Sequence, residues 1–231
     1  MGAIGSHYAH QSTVPVSLLL NEAQTLSQVV LGIEAGFYAV MLDTSAWEWE
    51  AAVRTVAELA QIAHARDVTV EAELGRLPDA TATGIDDSTA HLTDPDLAEQ
   101  FVALTGTDCL AVSIGNVHLL TAHYAPIDPL HLEKIHAKVS VPLVIHGGTS
   151  FPPDAIPHAV AHGVAKFNVG TTLKKAYLEG VQNALESSKN LSVHDLLGSH
   201  KPADLCEAGK QAMKERVRSL IRLYGSAGKA S

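Results

Sequence analysis

The sequence predicts a parallel α/β fold, and three observations carry that prediction. Six short apolar runs recur along the 231 residues, segments of helical period separate them, and each run terminates in polar, chemically competent side chains. The runs are Pro15–Leu20, Ala39–Leu42, Thr69–Leu74, Leu110–Ile114, Pro142–Ile145 and Lys166–Val169. They are continuous rather than alternating, as in strands of a parallel sheet covered on both faces.

The helices are read from period and caps. Val53, Val56, Leu59, Ala60 and Ala63 form one apolar stripe between the second and third runs. Thr93-Asp94-Pro95 and Asp128-Pro129 set a capping side chain before a first-turn proline. Gly36, Gly106 and Gly163 precede the next strand, where a helix C-cap belongs. Further helices are expected near Thr172–Ser187 and Ala208–Tyr224. Six βα units in one chain of this size, with no low-complexity linker, imply a single domain over residues 1–231, either an open doubly wound sheet or a (β/α) barrel. Eight strands and about 250 residues are typical of the barrel, so six strands are two short.

Composition removes several functional classes. A net charge of −9 argues against nucleic acid, whose phosphates are bound by clustered Lys and Arg. A small anion remains compatible with an acidic chain, because backbone N–H groups can hold phosphate. No apolar run approaches the roughly 20 residues of a membrane span. Met1–Gln11 has neither the basic nor the apolar segment of a signal peptide, so a cytoplasmic location is expected. Cys109 and Cys206 lack metal or redox spacing and read as free thiols in a reducing compartment.

The strand ends carry the chemistry. Asn21 and Glu22 follow the first run, Asp43 the second, Glu73 lies in the third, His118 follows the fourth, His146 the fifth, and Asn168 lies in the sixth. In a barrel these ends converge on one face, where catalytic groups collect. His118 and His146 are the best metal candidates, with Glu22 as a third donor, because a catalytic zinc takes about three protein ligands and keeps an open position. There are 13 histidines; His64, His91, His123, His131, His136, His158, His162 and His194 fall in helices or loops and read as surface or helix-face residues. The loops Gly147-Gly148-Thr149 and Asn168-Val169-Gly170-Thr171 look built for phosphate, since glycines let an anion approach the backbone and the second loop opens a helix.

Five segments, in order, resemble the class II fructose- and tagatose-bisphosphate aldolases. They are Val70-Glu-Ala-Glu-Leu-Gly75, Ala111-Val-Ser-Ile-Gly-Asn-Val-His118, Val141-Pro-Leu-Val-Ile-His-Gly-Gly-Thr149, Gly163-Val-Ala-Lys-Phe-Asn-Val-Gly-Thr171 and Arg222-Leu-Tyr-Gly-Ser-Ala-Gly-Lys229. The resemblance runs from about Val14 to the C-terminus. It implies a TIM-type (β/α)8 barrel and metal-assisted cleavage or condensation of a ketose phosphate giving a triose phosphate, as in glycolysis and related carbohydrate metabolism. It implies Zn2+, or Mn2+ or Mg2+, at His118 and His146, with Asp43 and Glu73 as acidic positions near the metal. It places triose phosphate on Gly147, Gly148, Thr149, Asn168, Val169, Gly170 and Thr171, and suggests a homodimer or tetramer.

The departures are specific. Where the family shows His-Leu-Asp-His-Gly, this chain has Leu19-Leu20-Asn21-Glu22-Ala23. Asn21 stands in place of the proton-donating Asp, and an amide cannot exchange a proton near neutral pH. Glu22 stands in place of the first zinc histidine and brings a harder oxygen donor. Leu119 replaces a glycine, and Leu77-Pro78-Asp79 is what remains of the mobile loop, leaving Asp79, Asp86 or Asp87 to supply a carboxylate. Only about thirteen residues precede the first strand, where the family has two more βα units; six strands would leave two open sheet edges. Three readings follow: an active lyase, a non-catalytic sugar-phosphate or metal-binding homologue acting as sensor or partner subunit, and an inactive fragment.

Overall fold

The elements follow one another as the βα alternation requires. The computed structural model describes residues 2–81, 84–86, 91–118, 123–188 and 190–230. Its strands are β1 (Leu19–Ala23), β2 (Ala39–Leu42), β3 (Thr69–Leu74), β4 (Asp79–Thr81), β5 (Gly84–Asp86), β6 (Cys109–Val112), β7 (Leu143–Ile145) and β8 (Val164–Phe167). Its helices are α1 (Gly2–Gln11), α2 (Leu26–Glu34), α3 (Trp49–His64), α4 (Pro95–Thr105), α5 (Pro129–His136), α6 (Ile156–Ala161), α7 (Thr171–Ser187), α8 (Val193–Leu196) and α9 (Leu205–Leu223).

Six strands pair in the order β1-β2-β3-β6-β7-β8, every pair parallel, forming a curled half-barrel of TIM type. β4 and β5 form a separate antiparallel hairpin at the end of β3, which the apolar pattern does not signal because both strands have three residues. Sequential strands are neighbours, so all six carboxyl ends face one side.

Two apolar clusters hold the layers together. Val40, Leu42 and Val70 pack under Val29 and Ile33 of α2 and Leu59, Ala60 and Ala63 of α3. Leu110, Val112, Leu143 and Ile145 pack with Phe101 of α4, Leu132 and Ile135 of α5, and Ile156 and Ala159 of α6. Asp94 and Asp128 cap α4 and α5 through backbone N–H groups of their first turns, each followed by its proline. Gly106 takes the left-handed C-cap of α4 (φ 68°).

Three expectations shift. The first strand starts at Leu19 rather than Pro15, so Asn21 and Glu22 lie inside it. Proline has no N–H to give a ladder, and pairing starts where Leu19 meets Ala39. The last strand ends at Phe167, which puts Asn168 and Val169 in the loop. Residues 2–11, read only as a non-signal segment, form α1, whose Ser6 and His10 meet Tyr38 across the N-terminal ends of β1 and β2.

α7 and α9 lie against one another. A Cβ on Gly180 would come within 2.7 Å of Ala212 Cβ and 2.8 Å of Ala208 O, so glycine sets how closely the two axes approach. No helix among the described residues is long and apolar enough to cross a membrane.

Cys109 and Cys206 are free thiols in different surroundings. Burial and the Glu71 carboxylate push the Cys109 thiol up to about 12. Since the thiolate is the nucleophile, iodoacetamide at about pH 8 should alkylate exposed Cys206 and spare Cys109 in the native chain. Peptide mass spectrometry reads this directly; equal labelling would refute it.

Candidate active site

The carboxyl ends of the strands surround a cavity of about 570 Å³. Asn21, Glu22, His118, His146, Gly147, Thr149, Asn168, Val169, Gly170 and Thr171, all singled out from the sequence, line this cavity with Lys166 and Lys174. Gly148 lies directly behind, its N–H donating to Asn168 O at 2.9 Å.

His146 is the centre of the site and is 1 % exposed. Its Nε2 lies 3.0 Å from Glu71 Oε1, and Glu71, itself 2 % exposed, accepts a 2.7 Å bond from Lys166 Nζ. Lys166 also donates to Asn168 Oδ1 at 2.6 Å. A continuous chain therefore runs from the second glycine-loop asparagine through Lys166 and Glu71 to the imidazole. On the other side, His146 Nδ1 is 2.9 Å from Glu73 Oε2 and 3.8 Å from Glu22 Oε1. Nδ1 is buried and makes no hydrogen bond of ordinary geometry. A buried imidazole nitrogen facing two carboxylates is donor chemistry a divalent cation can use, although the ligand atoms of His146, Glu73 and Glu22 do not all lie within 4.8 Å of one another. The His118 ring stacks on that of His146 with centroids 6.1 Å apart, so both imidazoles face the same space.

Charge confirms how strongly this imidazole is held. Burial would lower the His146 pKa, but its contacts with Glu71 and Glu73 outweigh that and raise it to about 9. Burial would raise Glu71, and the bonds from His146 and Lys166 instead hold it below its ordinary value.

The local backbone explains these directions. β1 carries a bulge between Leu20 and Ala23, and Glu22 in it has φ 52°. A non-glycine residue in the left-handed region costs of order 1–3 kcal/mol and clusters at functional sites; a bulge re-aims a side chain. A second irregularity, between Leu143 and Val144 against β8, sets Lys166 opposite Val144. Asn116 is fully buried; it donates to His146 O at 2.9 Å and accepts from Ile114 N at 2.8 Å, fixing the loop that delivers His118.

The glycine loops are braced from outside. Thr149 Oγ1 accepts from Thr172 N at 3.3 Å, and the N-cap of α7 is Gly170, which brings no capping side chain of its own, so the positive end of the helix dipole stands at the cavity. Tyr224 donates to Gly148 O at 3.0 Å and stacks on Phe167 at 4.5 Å; burial raises its phenol to about 12, so it stays a donor. Arg216 Nε donates to Thr172 Oγ1 at 2.9 Å. Gly147 has φ 70°, and a Cβ there would lie 2.4 Å from Val117 O. Gly147→Ala should destabilise the chain by about 2 kcal/mol or more, from left-handed strain plus forced backbone movement, and weaken inorganic phosphate binding. Urea unfolding with phosphate titration checks both.

Other expected residues lie elsewhere. Glu73 touches His146 and also lines a neighbouring cavity with Trp47, Arg76 and His91. Asp43 stands at the end of β2 but accepts from Ser45 N at 3.0 Å, Ser45 Oγ at 2.7 Å and Gln24 Nε2 at 3.2 Å; burial would raise its pKa, and these bonds lower it. Asp79 and Asp86 belong to the hairpin through their backbones, and their side chains, like Leu119 and Asp87, lie outside the described residues. Sequence reading passed over Glu71, Asn116, Lys166 and Lys174. The first and third had a signal: residues two apart on a strand share a face, which pairs Glu71 with Glu73 and Lys166 with Asn168.

Comparison with known proteins agrees with this geometry. The family Fructose-bisphosphate aldolase class-II matches residues 1–229. The chain is 34% identical to a fructose-bisphosphate aldolase of Geobacillus stearothermophilus over 219 residues, 95% of this chain and 73% of that one. Among solved structures it resembles the YdjI aldolase of Escherichia coli K12 (TM-score 0.81, 30% identity, 100% of this chain and 77% of that one). It also shares its fold with the fructose-bisphosphate aldolase of Campylobacter jejuni (TM-score 0.75, 24% identity, 97% of this chain and 74% of that one). The ordered motifs, the half-barrel, the paired glycine loops and the whole-chain match agree: this chain belongs to the class II fructose-bisphosphate aldolase family.

Proposed function

We propose that this chain is a metal-dependent lyase that cleaves or forms a ketose phosphate, releasing or taking up a triose phosphate. The observation that carries the proposal is the single cavity onto which His118, His146, Glu22 and both glycine loops open. A divalent cation, zinc or else manganese or magnesium, held by His118, His146 and Glu22, with Glu73 against His146 and Asp43 tied to the Glu22 backbone through Gln24, would polarise the substrate carbonyl and stabilise charge developing on its oxygen.

The protein's own groups supply the rest. Gly147, Thr149, Val169, Gly170 and Thr171 line the phosphate position, with the α7 N-terminus and Lys174 in its first turn supplying positive charge, while the N–H groups of Gly148 and Asn168 hold the loops in place by bonds to Asn168 O and Ile145 O. Lys166 holds Asn168 and Glu71 together, so phosphate loop and metal histidine keep a fixed spacing. Cleavage needs a base for the hydroxyl proton beyond the scissile bond. Asn21 lines the cavity and can orient that hydroxyl but cannot take its proton. Asp79 is the carboxylate assigned to this step, because His118 N donates to Pro78 O at 2.9 Å and so fixes the hairpin stem beside the site. The chain would act in the cytoplasm as a homodimer or tetramer. Leu178, Leu185 and Ile221, exposed on the α7–α9 pair, are apolar surface of the kind a second copy would cover.

A second reading, a non-catalytic homologue that binds sugar phosphate or metal, is favoured by the amide at Asn21. Metal analysis of the purified chain with a coupled cleavage assay on fructose and tagatose bisphosphates separates the two. Stoichiometric metal with turnover supports the lyase; metal or phosphate binding without turnover supports the second reading; neither activity nor binding refutes both.

A further inference from the structure

A second group of metal-ligating side chains lies far from the cavity in the topology of the fold. Glu133 is on α5, His158 on α6, and His162 is the residue that ends α6. Each offers one ligand atom, and these atoms lie within 4.8 Å of one another. Among the described residues these are the side chains that converge in this way. α5 and α6 run back from the carboxyl ends of the strands, so their last turns stand at the opposite end of the half-barrel from the cavity.

Four details favour a cation over a surface ion pair. His158 and His162 are four residues apart, which sets both imidazoles on one side of a helical turn. Their rings lie tilted with centroids only 4.2 Å apart, a close approach for two groups that would repel if both were protonated. His158 Nε2 is buried and makes no hydrogen bond, although Glu133 Oε1 lies 3.2 Å away. His162 Nδ1 lies 2.8 Å from His158 O, and since a carbonyl only accepts, that nitrogen carries the proton and Nε2 keeps its lone pair. A second-shell bond to a backbone carbonyl is what fixes the tautomer of a metal-binding histidine. His136 closes the far side, its ring edge-on to His162 at 6.1 Å.

We propose that Glu133, His158 and His162 form a second metal site, separate from the aldolase cavity, that binds a divalent transition-metal ion such as zinc and pins α5 to α6. Two imidazoles and one carboxylate suit zinc and its neighbours; magnesium and calcium prefer all-oxygen shells. Three protein ligands leave one position for water. Its effect is on stability: the ion ties Glu133 of α5 to His158 and His162 of α6.

Zinc titration of the chelator-stripped full chain, read by competition with a chromophoric chelator, tests this. The wild-type chain should bind one more zinc than His162→Ala, while His118→Ala keeps this site. Glu133→Gln, a near-isosteric change at a half-exposed side chain, should weaken it by about 10–100-fold or more without disturbing the fold. Zinc should also raise the melting temperature of His118→Ala, and that rise should vanish in the double variant His118→Ala/His162→Ala. Unchanged stoichiometry and affinity in both His162→Ala and Glu133→Gln overturn the proposal, as does complete loss of zinc binding in His118→Ala.

Discussion

Glu71→Ala should destabilise the metal-free chain by about 3–5 kcal/mol, the cost of stripping one partner from a buried, hydrogen-bonded charge network. Glu71 is 2 % exposed and is the only acceptor drawn to both His146 Nε2 and Lys166 Nζ among the described residues. Its loss leaves the buried imidazole Nε2 without its partner and frees Lys166, whose remaining bond is to Asn168. Glu71→Gln keeps one acceptor and should cost less than half as much. Urea unfolding compares the three chains; equal midpoints would show that the network carries no net stability.

The same network sets a pH window for the metal-free protein. The His146 pKa is raised, so its contribution is complete below its ordinary value of 6.5 and lost as pH rises to about 9. The Glu71 pKa is lowered, so its contribution is complete above 4.5 and lost as pH falls below that. Stability of the metal-free chain should therefore be greatest between pH 4.5 and 6.5 and decline on both sides. In Glu71→Ala the alkaline decline should shrink, because only Glu73 then holds the proton on His146.

Most of the frame was legible because burial on both faces leaves a continuous apolar run. Ala39–Leu42 and Thr69–Leu74 match their strands residue for residue, and Asp94 and Asp128 announce their helices by chemistry that tolerates few alternatives. What failed to show depends on pairing or conformation rather than residue type. Glu22 gives no sign in sequence that its backbone is left-handed; the bulge appears only when β1 is laid against β2. The β4–β5 hairpin is too short to have a period, and α1 is amphipathic only weakly, with Gly2 as its buried residue. Taken singly, His158 and His162 look like surface or helix-face residues. Their four-residue spacing is the signal the sequence carries, and no spacing supplies Glu133 from the neighbouring helix.

Asn21→Asp should raise the rate of ketose-bisphosphate cleavage by about 10²–10⁴-fold, the usual worth of a positioned general acid or base. Asn21 already lines the cavity beside Glu22, so the change exchanges an amide for a carboxylate of nearly the same shape. It adds what the amide lacks, an atom that can accept and return a proton. A carboxylate here also adds negative charge next to Glu22 in the cavity, which should tighten cation binding. Combining it with Glu22→His should raise zinc affinity further and restore a three-histidine donor set with His118 and His146. The backbone of residue 22 remains left-handed, a conformation histidine tolerates better than branched residues. Metal titration and steady-state kinetics on the single and double variants separate the two contributions. If zinc affinity rises while kcat stays flat, proton transfer does not limit this chain, and the hairpin carrying Asp79 becomes the element to exchange. If kcat rises in Asn21→Asp alone, one amide accounts for the difference between this site and a faster aldolase.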